Sequence, residues 1–175
     1  MLALRRELKA AATPEGDARR WLFVPYDQLT DAVGPLAQAP PEDLGIVLVE
    51  CPAKAARRPY HKQKLALILA NLRHFAVEQA RRGVAVRHVV ADAGYAEALR
   101  EQAARLGPLE VQRPAERELR VELQPLRDEG LLIERPHQGW LTSAADFDHL
   151  GQAPWRMDAF YRGVRRRTAF RGRRA

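Results

Sequence analysis

His61, Lys62 and Lys64 fall within one hexapeptide, Pro59-Tyr60-His61-Lys62-Gln63-Lys64, immediately ahead of a long apolar-periodic run. That spacing puts them at the opening of a helix, where unpaired backbone N–H groups and the positive end of the macrodipole already attract an anion. Two readings fit: an anion site, or a solvated basic helix start. A second concentration runs from Trp155 to Arg167, where aromatics alternate with arginines. Arg156, Tyr161, Arg162, Arg165, Arg166 and Arg167 combine side chains that neutralise phosphates with one that stacks on a base, the chemistry of nucleic-acid binding. A basic tail or a segment that docks on a partner fits as well. The aromatics at 155, 160, 161 and 170 favour a segment that rests on something.

Other chemistry is harder to assemble. Cys51 is the single cysteine, which excludes an internal disulfide, a thiolate zinc site and a four-thiolate iron–sulfur cluster within one chain. It reads as a small core residue, and His74 and His88, inside periodic segments, read as structural. The five histidines form no H-E-x-x-H, and no nucleophile elbow or Ser-His-Asp order is present, so no catalytic residue and no metal ligand is assigned. No G-x-G-x-x-G or G-x-x-x-x-G-K-[ST] loop occurs either. Glu50 lies 23 residues beyond Asp27, near the spacing of a ribose-binding acid, but without the glycines that admit a pyrophosphate.

The elements that must carry these residues alternate. Trp21-Leu22-Phe23-Val24 and Ile46-Val47-Leu48-Val49 read as strands, the second continuous enough to be buried on both faces. Residues 62–82 read as the clearest helix, with Leu65, Ile68, Leu69, Leu72, Phe75, Ala76 and Gln79 on one stripe and Gly83 as its stop. Strands follow over 84–90, 109–111 and 131–134, with helices over 95–106 and 116–127 and a capped helix opening at Thr142 or Ser143. Strands alternating with helices predict an α/β fold, a Rossmann-like three-layer sandwich with a mostly parallel five-stranded sheet. Ligands then belong outside the carboxyl ends of the strands. The residues there are Tyr26-Asp27-Gln28, Glu50-Cys51, Ala91-Asp92, Arg113-Pro114 and Arg135-Pro136-His137.

At 175 residues, 46% hydrophobic and 29% charged, the chain has the composition of a globular domain with a core. Its net charge is +7, but eight of the 29 basic and one of the 22 acidic residues lie from Arg156 onward, so the preceding part is balanced at 21 of each. The expected organisation is an extension over 1–20, an α/β domain over 21–155 and a basic segment over 156–175. No apolar run approaches the roughly 20 residues of a membrane span and no signal-peptide core is visible, so a cytoplasmic protein away from membranes is expected.

Three stretches, in order, resemble one family. Pro59-Tyr60-His61-Lys62-Gln63-Lys64-Leu65 with Asn71-Leu72-Arg73-His74-Phe75-Ala76 resembles the H-H-K-Q-K…A-M-R-H-F-A pattern of the deoxyribodipyrimidine photolyase-related proteins, the bacterial cryptochrome/(6-4) photolyase branch. Asp27-Gln28-Leu29 resembles their G-D-Q-L, and Met157 to Thr168 their M-E-x-F-Y-R-x-M-R-R-x-T. The resemblance implies an N-terminal α/β domain carrying an antenna chromophore, a ribityl lumazine or flavin, at Asp27, Gln28, Glu50, His61, Lys62, Lys64 and Ile68. Where the family tends to show E-A-x-Y-V-x-H-H, this chain has Lys54-Ala55-Ala56-Arg57-Arg58-Pro59-Tyr60-His61, and E-P-G-E-W-R is reduced to Arg113-Pro114-Ala115-Glu116-Arg117. The helical portion that would hold FAD and an iron–sulfur cluster has no counterpart in these residues. The expected partners are accordingly DNA or a separate FAD-binding helical domain.

Overall fold

The structure, a computed structural model, describes residues 4, 6–8, 19–57, 59–150 and 156–168. Most of the expected 1–20 extension lies outside the described residues. Five strands form one sheet: β1 (Arg20–Phe23), β2 (Leu44–Glu50), β3 (Ala85–Val90), β4 (Leu109–Gln112) and β5 (Leu132–Arg135). Their order is β3-β2-β1-β4-β5, and each neighbouring pair is parallel. The expected fold class is therefore the observed one, with every pairing parallel rather than most.

Period-two alternation of side chains builds the layers. Trp21, Phe23, Val47 and Val49 point to one face and Leu22, Val24, Ile46 and Leu48 to the other, each set inside its own apolar cluster. All seven residues of β2 are buried, as a strand covered on both faces requires. α1 (Pro35–Gln38) and a 3₁₀ turn (Pro41–Asp43) join β1 to β2, and the crossover to β3 consists of α2 (Pro52–Ala56) and α3 (Lys62–Arg81). α3 supplies Leu72, Phe75 and Ala76 to the second cluster. Gly83, at φ 98°, follows its C-cap in a conformation that side chains with a Cβ rarely adopt. On the opposite face lie α4 (Tyr95–Leu106), α5 (Arg117–Glu122) and α6 (Gln124–Asp128), which contribute Leu99, Leu119 and Leu126. The single helix expected over 116–127 is thus two, because Pro125 in the first turn of α6 has no N–H with which to continue the ladder.

The chain divides into two compact units, Met1–His137 and Gln138–Ala175. The first holds the sheet. The second holds α7 (Ala144–Leu150) and α8 (Met157–Arg167), so the arginine-rich segment expected from 156 is in part a helix packed on another. Ser143 opens α7 with a reciprocal cap: its Oγ accepts from the Asp146 N–H at 3.2 Å, and the Asp146 carboxylate accepts from the Ser143 N–H at 2.7 Å.

Gly45 sits opposite Trp21 in the β1–β2 register, and a Cβ there would run into the indole ring, 2.6 Å from both Cδ2 and Cζ3. The ring therefore uses the space that glycine leaves. Gly45→Ala is expected to cost about 1–3 kcal/mol by forcing the buried Trp21 from its place, measurable as a lowered midpoint in urea denaturation with an unchanged slope.

Candidate functional site

The sheet order changes direction at β1, with β2 on one side and β4 on the other, so the crevice of an open parallel sheet belongs at the carboxyl ends of these strands. Gln28, in the loop after β1, is buried there. Its Nε2 donates to the carbonyls of Gln112 and Arg113, each at 3.2 Å, tying the β1 loop to the end of β4. Beside it, Leu22, Phe23, Val24, Gln28, Gln112 and Arg135 help to line a cavity of about 20 Å³.

Glu50 ends β2 as a buried carboxylate with three charge-assisted contacts. Arg73 of α3 approaches it with two nitrogens at 2.6 and 2.7 Å, and His88 Nε2 of β3 lies 2.8 Å away. Burial pushes this carboxyl upward, but the bonds from Arg73 and His88 outweigh it and hold Glu50 below its ordinary range. Arg73 is the residue that motif reading left without a role. The signal is visible in hindsight: a charged residue directly beside Leu72, where α3 begins to be buried, needs a buried partner.

Over the end of β1 lies a denser constellation. Lys54 of α2 forms an ion pair with Glu116, and its ammonium sits 4.9 Å from the centroid of the Tyr26 ring and 5.4 Å from that of Tyr95. The Tyr26 hydroxyl donates to Glu116 at 3.1 Å. Desolvation raises the Tyr26 phenol strongly and the Glu116 charge adds to it, so the hydroxyl remains a donor. Burial also raises Tyr95 and Asp27; for Asp27 the Glu116 charge adds, while Lys54 and His137 oppose it. Arg57, just past α2, reaches Glu122 of α5 at 3.6 Å. Glu122 in turn accepts the Tyr95 backbone N–H at 2.7 Å, placing a carboxylate at the N-terminus of α4, where Gly94 offers no side-chain cap.

The basic hexapeptide opens α3 as its spacing predicts. His61 is the N-cap, and its Nδ1 accepts from the Gln63 N–H at 3.3 Å. Lys62 and Lys64 are exposed, Ile68 is half-buried, and Lys64 lies over the Tyr60 ring at 5.4 Å. Burial in α3 begins only at Leu72.

In the second unit, Phe160 of α8 meets Phe147 of α7 edge-on, with ring centroids 5.4 Å apart. Arg167 turns onto the same partner helix, paired with Asp146 and donating to the Leu141 carbonyl at 2.9 Å. The Arg167 bond, together with those from Ser143, holds the Asp146 carboxyl down to about 2. Tyr161, Arg162, Arg165 and Arg166 stay exposed, with Arg162 bonded to Asp158 one turn back at 2.8 Å; Arg156 is exposed at the N-cap.

Comparison with known proteins decides the family. The sequence profile described as deoxyribodipyrimidine photo-lyase-related protein matches residues 22–170. A (6-4) photolyase of Agrobacterium fabrum (strain C58 / ATCC 33970) is 31% identical over 153 residues, covering 81% of this chain and 30% of that protein. The chain belongs to the deoxyribodipyrimidine photo-lyase-related proteins. It matches less than a third of the length of this relative.

In this photolyase-related chain several of the seven positions assigned to an antenna chromophore are engaged within the chain itself. Gln28 and Glu50 commit polar atoms to other parts of the chain, and the His61 Nδ1 caps its own helix. Lys62, Lys64 and Ile68 belong to the half of α3 that precedes its buried residues. The cavity beside Gln28 holds about one water, whereas small-molecule pockets run to several hundred Å³. Of the seven, Gln28 lines this cavity, which is too small for a lumazine or flavin ring system.

The Glu50 cluster sets a pH dependence. Because folding lowers its pKa, Glu50 contributes stability that is present above its unfolded value and lost as the pH falls through the folded one. Glu50→Gln is expected to flatten the decline in unfolding free energy below roughly pH 4, while lowering stability at neutral pH, as read from urea titrations across pH 3–7.

Proposed function

We propose that this chain is the antenna-type α/β domain of a photolyase-related architecture, serving light-dependent DNA repair or blue-light sensing in the cytoplasm, with the photochemistry supplied by a separate FAD-binding helical partner. The observation that carries this reading is the family match across residues 22–170 on an all-parallel five-stranded sheet. The single, buried Cys51 is in keeping with a reducing compartment. Among the described residues no helix is long and apolar enough to cross a membrane. In the test, the purified chain is illuminated with blue light on UV-damaged DNA, alone and after addition of a FAD-loaded helical partner from the same cells. The expected result is no repair alone and repair on reconstitution; a chain that recovers no flavoprotein from its native cells would overturn the proposal.

A second reading, a nucleic-acid-binding accessory, is favoured by one feature of the second unit. At 100° per residue, Tyr161, Arg162, Arg165 and Arg166 share the face of α8 opposite Phe160 and Gly163. An exposed tyrosine among arginines is suited to stacking on a base while phosphates are neutralised. Arg167 is engaged with Asp146 and so stands outside this face. Each phosphate contact contributes about 0.9 to the slope of log affinity against log salt, so Arg165→Ala with Arg166→Ala is expected to reduce that slope by about 2. Fluorescence anisotropy with a labelled oligonucleotide checks it, and an unchanged slope would remove this face from any interface.

A further inference from the structure

In an open parallel sheet the ligand crevice lies where neighbouring connections leave in opposite directions, which here is above the end of β1. Two ion pairs span that position. Lys54 and Arg57 come from the connection after β2, and Glu116 and Glu122 from the connection after β4. Because β2 and β4 flank β1, a bridge between their connections passes over the end of β1 itself. Tyr26, which follows β1, lies under the Lys54 ammonium with its ring centroid 4.9 Å away and is bonded to Glu116. We propose that these two pairs form a strap that closes the crevice, with Lys54 occupying the place between the Tyr26 and Tyr95 rings where a planar heterocycle would stack.

Burial and chemistry argue together for a plug rather than an incidental surface pair. The Lys54 side chain is only 13% exposed and Glu116 23%, so the ammonium has exchanged most of its water for a carboxylate and two aromatic faces. The second pair is different: Arg57 is 53% exposed, but its partner Glu122 is 18% exposed and is fixed by its bond to the Tyr95 N–H. A cation over the two rings and an anion at the start of α4 are thus already supplied by the chain. A ring system can enter only when Lys54 leaves, and the apparent affinity falls by the fraction of chains in which it has left. The inference is independent of the light-related role, since the strap is tested without light and without a partner.

The probes are riboflavin and a ribityl lumazine, titrated into the full chain and followed by ligand fluorescence. The wild-type chain is expected to bind either one at least about tenfold more weakly than the chain carrying Lys54→Ala and Arg57→Ala, because the variant is no longer held closed. The exchange Lys54→Glu with Glu116→Lys preserves the pair and is expected to remain as weak as wild type. Equal binding by wild type and the open variant, or no binding by the folded open variant, overturns the proposal. Acetylation of the native chain, read by mass spectrometry, gives an answer that needs no variant. Lys54 is expected to react at least about tenfold more slowly than Lys62 and Lys64 and to match them in urea, since a paired, enclosed amine is protected until the chain opens. A native Lys54 as reactive as Lys62 overturns the strap even if the variants do not fold.

Discussion

A parallel strand cannot be joined to its neighbour by a tight turn, because the chain leaves each strand at one edge of the sheet and must travel back across a face before the next can begin. In this protein that constraint acts on all four strand pairings. It buries β2 completely, requires an apolar helix layer on each face, and delivers the residue after every strand to the same edge. Tyr26, Cys51, Asp92 and Arg113 come from distant parts of the sequence, yet they arrive together for that one topological reason. The candidate site is a consequence of the pairing rather than an addition to it.

Charge at that edge is handled by internal pairing. Glu50 is buried at the end of β2, and Arg73 and His88 offset its desolvation from two different elements, so it links strand, helix and neighbouring strand. Lys54 and Glu116 do the same between two connections. Removing one member of such a pair leaves the other without its compensating charge, which makes these residues stiff parts of the edge. Gln28, Glu50, Lys54 and Glu116 are thus occupied by partners within the chain, and that distinguishes a family resemblance carried by motifs from a site carried by open geometry.

Much of the architecture was legible from periodicity. The stripe from Leu65 to Gln79 marked α3 within a residue of its observed end, and the helix at 95–106 was placed at its observed limits. Continuous apolar runs marked β1 and β2. α2 escaped notice because five residues of Pro-Ala-Lys-Ala-Ala are too short for a helical stripe to repeat. α8 reads in the sequence as an arginine-rich segment, since its charged face dominates the composition while of its residues only Phe160, Gly163 and Val164 are covered. Of the candidate site, the motif residues Gln28, Glu50 and His61 were legible as positions, but their partners were not: Gln112 lies 84 residues from Gln28, and no local pattern records that distance.

The sequence by itself determined the alternation of strands and helices, the absence of the common phosphate loops, the placement of excess charge after residue 155 and the motif order of the family. All of these depend on neighbours within a few turns or on composition. Only the tertiary structure decided that Lys54 would meet Glu116, 62 residues away, that Arg73 would clamp Glu50, and that Arg167 would turn toward Asp146 while Arg165 and Arg166 stayed in solvent. A charged side chain acquires its role from what lies opposite it after burial, and in the sheet the parallel crossovers, not the local sequence, choose that partner.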